Sequence, residues 1–488
     1  MEGDDLMKNI LFIMTDQQRY DTVHALGNKK IKTPVLDSLV SEGTSFTRAY
    51  TPSPVCVPAR YSTLTGKYCH NTGCSKNGMM PDGNESIMET LKKAGYQTFG
   101  IGKMHFGFRD GGSMAMWGFD KRYTSEEVNG AERDDYKDYL KEKGFGHVKD
   151  VHGVRSEMYY TPQPSQLPAE YHHTSWVADR SIELIEGRDR TKPMFMMCGI
   201  IKPHPPFEVP VPWNKLYRSP DMEFPFVPGD YESMQTYWNR IQNRYKYKSK
   251  GRDRELERMI KSYYYACISF IDFNVGRIID KLRSENILDE TMIIYTSDHG
   301  EMLGDFNCYG KRGFLDPAAR VPLIVRWPGV KQGEKCDEPV SLVDIVPTML
   351  EYAGVGIEGD YDGNNLFSEE YNRPVVSQYH TGNKGLYMLV EDNHKYFYSA
   401  PDNKEWLIDM SADPDECHNR AENLLYGEKT KEMREKLVEI LKHSAEKDAV
   451  EKNHFKKLKK PDDYKSEDEG LLFQDAEGSL PDIKGYTS

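Results

Sequence analysis

Long apolar runs are missing from this chain. The longest near its start, Ile10 to Met14, falls far short of the ~20 residues that a membrane-spanning helix needs. Basic excess is missing too: 64 Lys and Arg stand against 77 Asp and Glu, a formal net charge of −13. That balance excludes nucleic acid and anionic membrane surfaces as expected partners. No secretory leader is visible, because Glu2, Asp4 and Asp5 are acidic where a signal peptide is basic. A cytoplasmic location is therefore expected, unless a leader has been trimmed away. The eight cysteines, at 56, 69, 74, 198, 267, 308, 336 and 417, form no C-x-x-C pair and no zinc spacing. Scattered reduced thiols are the expectation, with Cys69 and Cys74 close enough in sequence to pair.

What the chain does have is length and alternation. At 488 residues it exceeds one ordinary core, so a large α/β domain with a smaller companion is expected. Short apolar runs of strand length recur at Ile10 to Met14, Thr98 to Ile101, Met194 to Ile200, Met292 to Thr296 and Val321 to Trp327. Several are apolar on both faces, as buried strands covered by helices are. Between them, Ile87, Leu91 and Ala94 share a helical face that Ser86 and Glu89 open as a capping box and Gly95 closes. A longer helix is read from Met259 to Leu282. From about Arg373 the pattern turns to hairpins, at Tyr387 to Val390, Lys395 to Tyr398 and Trp406 to Met410. One helix follows, with Met433, Leu437, Ile440 and Leu441 on a common face. The expected division is a first domain over 1–370 and, over 371–488, an antiparallel subdomain with a terminal helix and a polar tail.

Chemistry concentrates where the strands stop. The first strand runs into Asp16-Gln17, and the Met292 strand into Asp298-His299. Open α/β sheets bind ligands at such ends. This donor set is mainly oxygen, which favours Ca²⁺, or else Mg²⁺, over zinc. The competing structural reading is that Asp16 and Asp298 cap following helices. Further along, Lys103 and His105 are two residues apart at a strand end and project to one side. His204 is held between prolines in Lys202-Pro203-His204-Pro205-Pro206-Phe207, and Lys311 lies twelve residues after His299.

The segment Cys56-Val57-Pro58-Ala59-Arg60 resembles the maturation signature of type I, formylglycine-dependent sulfatases of the alkaline phosphatase-like superfamily. The resemblance spans about residues 8 to 420. It takes in Gly102-Lys103-Met104-His105-Phe106-Gly107, Pro203-His204-Pro205-Pro206-Phe207 and Gly310-Lys311. It implies an α/β sandwich, a large mixed sheet between helices, with a small C-terminal antiparallel sheet and one helix. It also implies a divalent cation on Asp16, Gln17, Asp298, His299 and residue 56, with Cys56 oxidised to Cα-formylglycine by a maturase. The implied catalytic residues are Cys56, Arg60, Lys103, His105, His204 and Lys311. In that scheme the hydrated aldehyde attacks sulfur, the two lysines neutralise sulfate, His204 protonates the leaving oxygen, and His105 helps release sulfate. Gln17 stands where many members carry a second Asp, and with one charge fewer the cation should be a stronger electrophile provided nothing compensates. At Phe314-Leu315-Asp316-Pro317 the chain departs from the aromatic-then-acidic pattern of relatives, so no substrate contact is carried over there.

The expected activity is hydrolysis of a sulfate ester, on a small sulfated saccharide. Two alternatives stay open. One is a phosphonate monoester or phosphodiester hydrolase of the same superfamily, against which Lys103 and His105 speak. The other is an inactive binder of sulfated ligands carrying an unmatured Cys56, against which the two histidines speak. Oligomeric state stays open, a homo-oligomer included. The 208–255 insertion, with Trp213, Trp238 and Arg240, suits either sugar contacts or core packing.

Overall fold

The computed structural model describes residues 8–106, 116–126, 134–155, 159–246, 254–330, 332–356, 359–368 and 373–461, the side chains of 243–246 excepted. Gly107 of the Lys103 motif and the polar tail from 462 lie outside the described residues.

Among the described residues nine strands form the main sheet, eight of them in one path: β1 (Asn9–Asp16), β2 (Thr44–Tyr50), β3 (Gln97–Gly102), β4 (Lys121–Thr124), β5 (Met194–Pro203), β6 (Thr291–Ser297), β7 (Leu323–Arg326) and β8 (Glu334–Ser341). Their spatial order is β8-β2-β7-β6-β1-β5-β3-β4, and a two-residue strand, Arg320–Val321, pairs with β2. β6, β1, β5, β3 and β4 run parallel, whereas β7 lies antiparallel to both β6 and β2. The sheet is therefore mixed. The apolar run read from Val321 to Trp327 is split at Pro322, which has no N–H to give a ladder.

β1 shows why the sheet is central. Ile10, Phe12 and Met14 enter one hydrophobic cluster, and Leu11 and Ile13 enter the other. The first cluster is roofed by α1 (Cys56–Thr65) and α2 (Ile87–Lys93), through Tyr61, Leu64, Ile87 and Leu91. The second is roofed by α3 (His173–Glu186) and α4 (Arg254–Ser284), through Trp176, Val177, Ile271 and Ile278. Each such buried side chain contributes about 1.5–3 kcal/mol. The capping box forms as read: Ser86 accepts from the Glu89 N–H, and Glu89 accepts from the Ser86 N–H.

A second sheet, β9 (Val375–Tyr379), β10 (Leu386–Glu391), β11 (His394–Ser399) and β12 (Lys404–Asp409), is fully antiparallel. α5 (Gly427–Lys442) covers one of its faces with Met433, Leu437, Val438 and Leu441. The other face packs Met388, Phe397 and Trp406 on Phe306, Phe314 and Leu315 of the main unit. At this joint Lys395 is fully buried, bonded to Asp316, to Glu416 at 2.5 Å and to the Phe314 carbonyl at 3.1 Å. Asp316 also pairs with Arg320 at 2.9 Å. Asp316 is thus a bracket between the two units. All eight cysteines are free thiols, and no helix among the described residues is long and apolar enough to cross a membrane.

Candidate active site

Parallel strands stop together, and that gathers the site. Asp16 ends β1 opposite Pro203 at the end of β5, Thr15 is level with Ser297 of β6, and Gly102 of β3 is level with Gly199 of β5. β2 points the same way, since β7 runs opposite to both it and β6. Beyond β2, Thr51 donates to the Asp298 carbonyl at 2.6 Å and guides the chain into α1, whose first residue is Cys56. Two glycines permit the close approach. A Cβ on Gly199 would run into the Lys103 carbonyl, and one on Gly300 into the Pro317 carbonyl.

Neither Asp16 nor Asp298 caps a helix. The next helical turns begin at His24 and Asp305, and both carboxylates instead turn inward, fully buried. Ligand atoms of Asp16, Cys56, Asp298 and His299 all lie within 4.8 Å of one another. His299 Nε2 is 3.2 Å from Cys56 Sγ and 3.5 Å from Asp298 Oδ1. Gln17, at φ 67°, joins them through Lys311: its Nζ lies 3.0 Å from Gln17 Oε1, 2.8 Å from Cys56 Sγ and 3.1 Å from His299 Nε2. An ammonium resting on three of the five donors shows that the cluster is built to face positive charge. The ligand atoms of Asp16, Cys56, Asp298 and His299 are close enough together to hold one metal ion.

Cations surround the same carboxylates. Arg60, one turn along α1 from Cys56, donates to Asp298 Oδ2 at 2.9 Å, to Asp16 Oδ2 at 3.3 Å and to the Lys103 carbonyl at 2.9 Å. Lys103 Nζ lies 2.5 Å from Asp16 Oδ2. Burial and Asp298 push the Asp16 carboxyl up, but Lys103, His204 and Lys311 outweigh them and hold it below the usual range. Asp298 is likewise driven low, against its burial, by His299, Arg60 and the lysines. Burial pushes His299 down to about 4, and burial with Asp16 pushes the Cys56 thiol up to about 12. A local cationic pocket therefore exists inside an acidic protein.

The two other candidate histidines are buried as well. His204 follows β5, its Nδ1 2.6 Å from the Pro205 carbonyl, and is near enough to Asp16 to lower its pKa. His105, at φ 61°, is held from behind by Glu126, which accepts from its N–H at 3.0 Å and lies 3.6 Å from its Nε2. Burial raises Glu126 to about 7, against the N–H groups of Met104 and His105 and the charges of Arg122 and Lys103. The structure thus joins Asp16, Gln17, Cys56, Arg60, Lys103, Asp298, His299 and Lys311 in one contacting cluster, with His105 and His204 beside it.

Two residues were not singled out from sequence. Glu126 is one; Glu301 is the other, fully buried and accepting from the Gln17 side-chain amide. Glu301 thus places a carboxylate directly behind the Gln17 amide. The insertion's Trp238 is core, donating to the Lys384 carbonyl at 2.9 Å against the Tyr379 ring, and Arg240 bonds Asp402. Trp213 packs on Phe270 and Phe273. A cleft of about 330 Å³ lined by Tyr68, His70, Asp362 and Arg373 lies past the far end of α1 and holds none of the candidate residues.

Solved structures share this fold. The phosphonate monoester hydrolase of Agrobacterium radiobacter superposes with a TM-score of 0.77 at 24% identity, over 89% of this chain and 95% of that one. Residues 8–355 match the family model for sulfatases, and residues 304–443 that for the C-terminal part of N-sulphoglucosamine sulphohydrolase. An arylsulfatase of Clostridium perfringens is 30% identical over 457 residues, 89% of this chain and 94% of its own. An N-acetylglucosamine-6-O-sulfatase of Bacteroides thetaiotaomicron is 26% identical over 522 residues, 91% of this chain and 88% of its own. The chain belongs to the sulfatase family.

Proposed function

We propose that this sulfatase hydrolyses the sulfate ester of a small sulfated saccharide, with residue 56 as formylglycine and a divalent cation on Asp16, Gln17, Asp298, His299 and residue 56. The observation that carries the reading is the convergence of Arg60, Lys103 and Lys311 on the donor cluster at Cys56. Asp16, Gln17, Asp298, His299 and residue 56 would hold the cation, Ca²⁺ by their oxygen donors, and when bound it would supply positive charge to the sulfate ester. Formylglycine supplies a hydrated aldehyde with two hydroxyls, one to displace the ester oxygen at sulfur and one to let sulfate go.

The protein's own side chains supply the rest. Lys103 and Lys311 face the sulfate oxygens, and Arg60 holds both carboxylates in register. His204 protonates the departing oxygen. His105 takes the proton from the second hydroxyl, with Glu126 behind its ring to support the charge. Loss of one such preorganised contact removes about 10²–10³ in rate. A maturase is the partner this chemistry requires. We take the catalytic unit to end near residue 370, with the C-terminal subdomain from 371.

Gln17 favours a second reading, a phosphonate monoester or phosphodiester hydrolase, and Lys103 with His105 favours sulfate. Sulfate and phosphonate monoesters of one chromogenic alcohol decide between them. A larger kcat/KM on the sulfate is expected, and a larger value on the phosphonate would overturn the proposal. Sulfated saccharides varied by sulfate position then sharpen the substrate.

A further inference from the structure

We propose that Glu301 is a positioning residue of the cation site: its carboxylate orients the Gln17 amide and returns the negative charge that an amide ligand lacks. The inference rests on the proposed cation reading of Asp16, Gln17, Asp298 and His299.

The geometry of Glu301 divides cleanly between its two oxygens. Oε1 accepts from the backbone N–H groups of Leu303, at 3.0 Å, and of Gly310, the residue before Lys311. Oε2 accepts from Gln17 Nε2 and, at 3.3 Å, from the Tyr160 hydroxyl. A carboxylate only accepts, so the Gln17 NH₂ must face it. Gln17 Oε1 is then forced to the opposite side, where Lys311 Nζ donates to it at 3.0 Å. The Gln17 backbone is fixed as well: its N–H donates to Asp298 Oδ1 at 3.1 Å, and its carbonyl accepts from the Tyr264 hydroxyl at 2.6 Å. Only the amide rotamer remains to be chosen, and Glu301 chooses it. Being fully buried, its charge reaches the site with little screening.

In the neutral variant Glu301→Gln, the remaining side-chain oxygen would stay on the two backbone N–H groups, and the new NH₂ would turn toward that of Gln17. Gln17 would then flip and present NH₂ to Lys311 and the cation. Adding Gln17→Glu restores an acceptor on both sides and moves the charge into the ligand position, with every hydrogen-bond site filled.

The test is calorimetric titration of Ca²⁺ into the full-length chain, freed of divalent ions, with thermal melts to verify folding. Wild type is expected to bind one ion, Glu301→Gln to bind about 10–100-fold more weakly, and the Gln17→Glu/Glu301→Gln pair to recover most of that loss. Binding by Glu301→Gln equal to wild type would overturn the inference and leave the cation reading standing. A double variant as weak as the single one would give Glu301 a merely structural role, and so would failure of both variants to fold; either overturns it. A single variant that fails to fold beside a double variant that folds and binds would support it. No binding by wild type would overturn the cation reading, and this inference with it.

Discussion

At the joint between the two sheets, Lys395 sits between Asp316 and Glu416, with Arg320 on the far side of Asp316. At the strand ends, Asp16 and Asp298 sit among Arg60, Lys103 and Lys311. Both clusters are buried, yet they are built on opposite plans. In the joint every charge meets an opposite charge or a backbone partner, and the group holds two units together. In the site the charges are paired too, but ligand oxygens of Asp16 and Asp298, the Cys56 sulfur and a His299 ring nitrogen all lie within 4.8 Å of one another. A closed ionic cluster is architecture. A cluster in which like donors converge is prepared for something that is neither of its own residues.

Substitutions should separate the two. Cys56→Ala is expected to abolish sulfate ester turnover while leaving the melting curve near that of wild type; residual turnover above that of a heat-killed control would break the contrast. Lys395→Met should do the reverse. It strands the buried Glu416 carboxylate and leaves Asp316 with Arg320 alone, for which a loss of about 3–5 kcal/mol in unfolding free energy is expected by denaturant titration, with kcat/KM of the folded fraction nearly retained. Loss of activity without loss of stability would move the joint into the catalytic apparatus.

Smaller effects sharpen the comparison through pH. Glu126 titrates near 7 because burial favours its neutral form. Its anion supports His105, so kcat/KM should rise as pH passes about 7, and Glu126→Gln should flatten that limb while leaving the leaving-group dependence unchanged. At the joint, burial raises Glu416 to about 7, above its unfolded value. The folded state thus holds that proton more tightly, a stabilisation present below about pH 4.3 and lost as pH rises through about 7. Glu416→Gln should remove this slope from the stability profile measured by thermal melts.

Much of the site was legible in sequence because its residues stand at strand ends, where short apolar runs stop at Asp16, Lys103, Pro203 and Asp298. Buried parallel strands announce themselves by being apolar on both faces, as β1, β5 and β6 do. β2 and β8 did not, since Thr44–Tyr50 and Glu334–Ser341 carry polar and charged residues toward one edge of the sheet. Glu301 was hidden for a different reason. Its partner Gln17 is 284 residues away, and no local pattern marks such a pairing. The one available signal was chemical: an amide at a ligand position calls for an acceptor behind it.

The central claim is that residue 56 acts as an aldehyde within this cluster. The most direct measurement is sulfate ester turnover across preparations made with increasing amounts of maturase, plotted against the fraction of the residue-56 peptide carrying formylglycine by mass spectrometry. A straight line through the origin is predicted. Turnover that is independent of that fraction would contradict the account.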